Sequence, residues 1–155
     1  MKIAFDLDDT LIETTQKFAS GTEANSLFFK LFFKEKLRKG TKELLKSLEQ
    51  DHELWIYTNS LREIAYIKRL FALIGVSLSG VVNSEIHDRF VRNRPNLKNY
   101  SKVPQSFGID LLIDDSPGVE MECQEQSCDV LIVEPSDLEW VNKIVEKVNC
   151  TETIA

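Results

Sequence analysis

An α/β fold, a single domain with a central parallel sheet and helices on both its faces, is predicted by three observations. Short β-rich apolar runs alternate with segments of helical periodicity. The runs are brief and bounded by turn residues, as strands buried on both faces are. At 155 residues, with 43% apolar and 28% charged side chains, the chain can bury a real core without disulfides or metal staples.

The elements follow in order. Ile3 to Leu7 reads as the first strand. Residues 13–40 break the alternation and hold Leu27-Phe28-Phe29-Lys30-Leu31-Phe32-Phe33. The pairs Phe28/Phe32 and Phe29/Phe33 stand at i,i+4, so a short helix packed on the sheet or over an edge is expected, with a substrate lid or dimer patch as the alternative. Thr41 caps the next helix, with Leu44, Leu45 and Leu48 inward. Glu53 to Tyr57 is the second strand. Ser60 and Glu63 form a capping box for a helix from Leu61 that Gly75 closes. Gly80 to Asn83 is the third strand, and residues 84–97, with Arg89, Arg92, Arg94 and Pro95, read as irregular. Asp110 to Ile113 is the fourth strand, and Pro117 after Ser116 marks a helix start. Asp129 to Val133 is the fifth strand. Ser136 with Glu139 begins a helix whose stripe is Leu138, Val141, Ile144, Val145 and Val148. Right-handed crossovers between such strands give a Rossmann-like three-layer domain over residues 1–150, with 13–40 as a small Phe-rich insert and 151–155 as a tail.

Bulk properties exclude some classes. No run approaches the roughly 18 apolar residues of a membrane span, and Asp6 interrupts the apolar start at once, unlike a signal peptide; a cytoplasmic protein with no membrane partner is expected. A net charge of −6 argues against general nucleic-acid binding, which rests on neutralising phosphates. Cys123, Cys128 and Cys150 show no zinc spacing and read as reduced thiols.

Asp6-Leu7-Asp8-Asp9-Thr10 is the anomaly. Three carboxylates among Ile3, Phe5, Leu7, Leu11 and Ile12 oppose burial, because charges are seldom buried unless paired or bound to metal. A hard-cation site carrying a carboxylate nucleophile accounts for them. Other strand ends carry matching groups: Thr58, Asn59 and Ser60 after the second, Asp114, Asp115 and Ser116 after the fourth. Parallel sheets bind ligands at that rim. A carboxylate can attack phosphorus and split one displacement into two easier ones. Mg²⁺ lets the two anions approach, a lysine and a hydroxyl cradle the phosphoryl group, and a second carboxylate moves protons.

Together these segments resemble the haloacid dehalogenase (HAD) superfamily of phosphatases, and all four of its motifs occur in order over residues 2–135. Phe5-Asp6-Leu7-Asp8-Asp9-Thr10-Leu11 resembles the first, Tyr57-Thr58-Asn59-Ser60 the second, Lys98-Asn99-Tyr100-Ser101 the third and Ile113-Asp114-Asp115-Ser116-Pro117 the fourth. The resemblance implies Asp6 as nucleophile, Asp8 as general acid/base, Thr58 as phosphate-binding hydroxyl and Lys98 as the conserved-role lysine. Thr58, Asn59 and Lys98 would contact substrate. It implies Mg²⁺ held by Asp6, the Asp8 carbonyl and Asp114 or Asp115. Lys102 rivals Lys98, which the distance along the chain to Asp114 favours. Asp9 is expected in a supporting turn, Ser60 only as a cap and His87 as an ordinary loop histidine.

The intervals Thr10–Thr58 and Thr58–Lys98 are too short for a large cap domain, so the chain resembles the small capless phosphatases. An open rim admits a phosphorylated macromolecule, or a small substrate if a second subunit closes it as a homo-oligomer. Arg89, Arg92 and Arg94 border Lys98 and are read first as solvated loop charges, with contact to a substrate as the alternative. Two other classes compete. A phospho-acceptor signalling module combines acidic residues, a hydroxyl and a lysine, but carries its acceptor on a middle strand. A catalytically inactive HAD-like binding protein has no need of the full motif set.

Overall fold

The computed structural model describes residues 1–23 and 27–154. Its strands are β1 Lys2–Phe5, β2 Glu53–Tyr57, β3 Gly80–Val82, β4 Leu111–Asp114 and β5 Val130–Ile132. All pair in parallel, in the order β3-β2-β1-β4-β5. The chain winds outward from β1 through β2 to β3, then returns to the other side of β1 for β4 and β5. The order therefore reverses between β1 and β4, the place where an open α/β sheet leaves a crevice for ligand.

The helices are α1 Leu27–Phe32, α2 Thr41–Leu48, α3 Ile64–Ala72, α4 Ser84–Val91, α5 Pro117–Gln126 and α6 Trp140–Ile154, with a 3₁₀ turn at Pro104–Phe107. Alternation along β1 sorts the core. Ile3 and Phe5 join Leu44, Leu45, Leu48, Ile67, Leu70, Phe71, Trp140, Ile144 and Val148 on one face. Ala4 joins Tyr57, Val82, Leu112, Val119 and Cys123 on the other. This is a three-layer α/β domain, and no cap domain occurs among the described residues. Among them, too, no helix is long and apolar enough to cross a membrane.

Insert residues 13–40 are sewn to the domain. Phe29 and Phe33 are buried in the larger core and their rings lie 5.4 Å apart. The side chains of Phe28 and Phe32, the other pair of the expected stripe, lie outside the described residues. Leu37 and Ile12 form an antiparallel bridge. Arg38 is fully buried between the Phe18 and Trp140 rings, 5.0 and 4.5 Å from their centroids. Its Nη2 donates to the carbonyls of Glu134 (2.7 Å) and Asp137 (2.8 Å), and Nη1 reaches that of Thr10 (3.4 Å). One guanidinium thus ties the insert, the turn after β1 and the entry to α6.

Several boundaries differ from expectation. Residues 84–97 are not irregular throughout: Asn83 accepts the Ile86 N–H (3.0 Å) and starts α4. His87 is consequently a buried helical residue, not a loop one. Ser60 and Glu63 form no capping box; α3 begins at Ile64 and Leu61 is exposed, because residues 58–63 turn across the rim. Asp137, whose carboxylate accepts the Glu139 N–H, replaces Ser136 at the α6 entry, and Leu138 and Val145 face outward. At α2, Gly40 is the cap in a left-handed conformation, and Glu23 accepts the Lys42 N–H (3.0 Å). The last helix continues through residues expected as a tail.

Gly80 pairs with Trp55 across β2 and β3, and a Cβ there would sit 2.4 Å from the indole ring. Overpacking of this kind costs about 1–3 kcal/mol. Gly80→Ala should lower the unfolding free energy by that amount, read as a lower urea midpoint at unchanged slope, and Gly80→Ala with Trp55→Val should recover most of it. Equal midpoints for the wild type and Gly80→Ala in urea titrations would refute the clash.

Candidate active site

Asp6 leaves β1 beside the end of β4: its N–H donates to the Ile113 carbonyl (2.8 Å) while Asp114 ends β4. Both carboxylates are buried, at 7% and 1% exposure. Between them lies the ammonium of Lys102, itself 2% exposed, at 2.5 Å from Asp6 Oδ1 and 2.5 Å from Asp114 Oδ2. Such groups tolerate burial because each is charge-paired. Asp114 Oδ1 accepts the Ser116 N–H (2.9 Å) and Asp115 accepts from the Thr10 hydroxyl (3.1 Å).

Lys102, not Lys98, meets the aspartates. Lys98 is exposed on the Arg94–Tyr100 turns and lines a neighbouring groove. The backbone explains the difference. Val103 N–H donates to the buried Tyr57 hydroxyl (2.9 Å), Ser101 N–H and Oγ donate to Glu122 (2.8 and 2.6 Å), and the Lys102 carbonyl accepts from Gln126 (2.9 Å). The chain is clamped on both sides of Lys102, which can only point inward. The available signal was Lys102-Val103-Pro104, a lysine leading into an apolar residue and a 3₁₀ start, against the polar surroundings of Lys98.

The remaining expected residues converge on a cavity of about 530 Å³ lined by Asp6, Asp8, Thr58, Asn59, Lys102, Asp114 and Asp115, among others. Thr58, wholly buried, donates to Asp8 Oδ2 (3.4 Å) and accepts the Ser60 N–H (3.1 Å). Thr14 donates to Asp8 Oδ1 (2.6 Å). Arg62, which sequence reasoning missed, places Nη1 2.9 Å from each Asp8 oxygen. Its Nε faces Glu35 of the insert (3.5 Å), and Glu35 accepts from the Tyr66 hydroxyl. The rings of Tyr66 and Phe33 then meet edge to face at 5.0 Å. Nothing in the local sequence marked Arg62, since its partner Glu35 comes from the insert. Asp9 points away from the cavity: in a left-handed conformation (φ 61°), its carboxylate accepts the N–H groups of Thr14, Thr15 and Gln16.

Charge follows geometry. Burial pushes Asp6 up, to about 7; Lys102 opposes this, while Asp114 and Asp115 add to it. Burial disfavours the Lys102 ammonium, but Asp6 and Asp114 prevail and hold it above its ordinary range. Burial and Asp114 also raise Asp115. Burial would raise Asp9 as well, yet the hydrogen bonds from Thr15, Gln16 and Thr14 keep it below the usual carboxylate range. Three acids around one ammonium leave an excess of negative charge, which suits a divalent cation.

Tyr57 also faces His87 Nδ1 (2.6 Å). Burial lowers the His87 pKa despite Asp88, a backbone hydrogen bond at Tyr100 and Glu122, with Lys102 adding to the depression. The unfolded chain therefore binds this proton first as pH falls below about 6.5, and folding stability contributed by neutral His87 is lost through that window. His87→Gln should unfold with a shallower pH slope between about 6.5 and 5 than the wild type; identical slopes would refute the assignment.

Comparison with known proteins adds to this geometry. The sequence profile of the NLI interacting factor-like phosphatases matches residues 1–140. Among curated protein sequences none matches. A HAD-superfamily hydrolase of subfamily IA from Geobacter sulfurreducens is similar in structure, with 16% identity, TM-score 0.58 and coverage of 94% of this chain and 97% of that one. A HAD-like family hydrolase from Porphyromonas gingivalis is similar at 12% identity, TM-score 0.54 and coverage of 95% and 97%. A chain of the Pnkp1/Rnl/Hen1 complex matches at 16% identity and TM-score 0.52 over 88% of this chain. The present chain covers 47% of that one. At such identities the likeness is one of fold.

Proposed function

Because the chain belongs to the NLI interacting factor-like phosphatase family, we propose that it hydrolyses a phosphomonoester through an aspartyl-phosphate formed on Asp6, with Mg²⁺ as cofactor. The observation that carries this reading is Lys102 bridging Asp6 and Asp114 at the β1/β4 crevice, in one cavity with Asp8 and Thr58.

Asp6 attacks phosphorus as the ester bond breaks, and Asp8, protonated on an oxygen that its donors release as substrate enters, gives that proton to the leaving alkoxide oxygen. Asp8, then ionised, takes a proton from water, whose oxygen attacks the phosphorus of the acyl-phosphate and frees Asp6 and inorganic phosphate. Thr58 and Lys102 hold the phosphoryl oxygens and the nucleophile in line. Arg62 fixes the direction of the Asp8 carboxylate, and Glu35 fixes Arg62. The acid's orientation therefore depends on the insert.

Among the described residues no three acidic, histidine or cysteine side chains are gathered into a metal cage. Mg²⁺ does not require one, since it takes one or two carboxylates and keeps several waters. The excess carboxylate charge fits it. Asp6, the Asp8 carbonyl and Asp115 would hold the ion, because both Asp114 oxygens already accept, from Lys102 and the Ser116 N–H. When bound, the ion would screen the repulsion between Asp6 and the phosphate.

The reading makes separable predictions. Asp6→Asn should lose phenyl phosphate hydrolysis by at least about 10³-fold while keeping the wild-type circular dichroism spectrum. Lys102→Met should fall by a similar factor, whereas Lys98→Met should stay within about twofold of wild type on the same substrate. Near-normal turnover in Asp6→Asn or Lys102→Met would overturn the assignments. EDTA should abolish hydrolysis and Mg²⁺ restore it. Mg²⁺ should also raise the unfolding temperature, as a ligand of the native state does. Full activity in EDTA would remove the metal.

A further inference from the structure

Beside the active-site cavity lies a second groove of about 440 Å³, lined by Asn59, Ser84, His87, Asp88, Val91, Arg92, Lys98, Tyr100 and Ser101. Asn59 and Ser101 line both spaces, so the two adjoin. A substrate whose phosphorus meets Asp6 in the cavity can run its leaving group past Asn59 and Ser101 toward the groove.

The charges of the two spaces differ in kind. The active-site cavity holds Asp6, Asp8, Asp114, Asp115 and Glu122. The groove presents the cations Arg92 and Lys98 against the single acid Asp88. Neighbouring basic groups are engaged: Arg89 pairs with Glu85 (2.7 Å), Arg94 stacks 3.9 Å from the Phe90 ring centroid, and Lys102 is buried between two carboxylates. Arg92 and Lys98 are exposed, and neither forms an ion pair among the described residues. In a chain of net charge −6, two exposed cations that form no ion pair among the described residues, beside an acidic centre, are suited to attract an anion.

We propose that this groove is a leaving-group subsite for an alcohol carrying a second phosphate, held by Lys98 and Arg92 while the first phosphate is cleaved at Asp6. Lys can act as a point charge on phosphate and Arg as a planar fork, so the pair suits a phosphate dianion or a phosphodiester alike. The groove's volume is that of an ordinary small-molecule site. This assignment rests on the phosphatase reading and narrows its substrate class to phosphomonoesters whose alcohol carries a second phosphate group, free or as a diester.

The test compares phenyl phosphate, which has no second anion, with glucose 1,6-bisphosphate and with a 3′-phosphorylated dithymidylate, in which the second anion is a phosphodiester. Wild-type kcat/KM should be higher for at least one of the doubly anionic substrates, and the better one names the source of the second anion. The double variant Lys98→Ala, Arg92→Ala should lose about tenfold in kcat/KM on that substrate, chiefly through KM, and stay within about twofold on phenyl phosphate. Lys98→Glu should lose more, and 0.5 M NaCl should shrink the preference, since exposed charges are screened. A double variant that loses equally on all substrates, or on none, overturns the subsite while leaving the phosphatase standing. Absence of hydrolysis of phenyl phosphate itself would instead strike the catalytic reading.

Discussion

Lys102 is the constraint around which the rest is arranged. Two carboxylates at the ends of adjacent central strands would repel each other and resist burial, and one buried ammonium at 2.5 Å from both offsets that cost. Holding an ammonium there requires a rigid backbone on the opposite side of the crevice. Tyr57, Glu122 and Gln126 supply it through hydrogen bonds to Val103, Ser101 and Lys102. Tyr57 is in turn held from α4 by His87. The hydrogen bonds behind the candidate site thus reach from β2 to α5, and its carboxylates and ammonium are fixed by residues set back from the cavity's charged centre.

The fold was largely legible because its signals are local and repeated. Five apolar runs gave five parallel strands, and strand position alone sent Asp6, Thr58 and Asp114 to one rim. Asp9 in a supporting turn could also be read, since the flanking residues leave room for only part of the acidic cluster to face the crevice. What failed was what local pattern does not encode. Lys98 and Lys102 are four positions apart, and only the tertiary clamp on Ser101 and Val103 selects between them. Ser60 and Glu63 satisfy a capping pattern, but the turn that carries Arg62 to Asp8 overrides it. Residues 84–97 hid a helix because its cap, Asn83, also reads as a strand end.

The insert illustrates how a segment outside the alternation can still belong to the chemistry. Phe33 and Tyr66 bury its apolar side against α3, and Glu35 faces both Tyr66 and Arg62. A few contacts therefore connect core packing to the direction of the Asp8 carboxylate. No large cap is needed for this: a short helix and one acidic residue take over the task of steadying the rim.

Arg38 sets a lower limit on how small this protein can become. Its guanidinium serves carbonyl groups from the turn after β1 and from the loop before α6, and it fills the space between two aromatic rings. A chain pared to five strands and their crossovers would leave those carbonyls without donors and Trp140 without the guanidinium stacked on its ring. Excision of residues 13–40 is therefore not a route to a minimal domain. Any shortened or circularly permuted version must carry the Arg38 segment with it, or rebuild the joint that it makes.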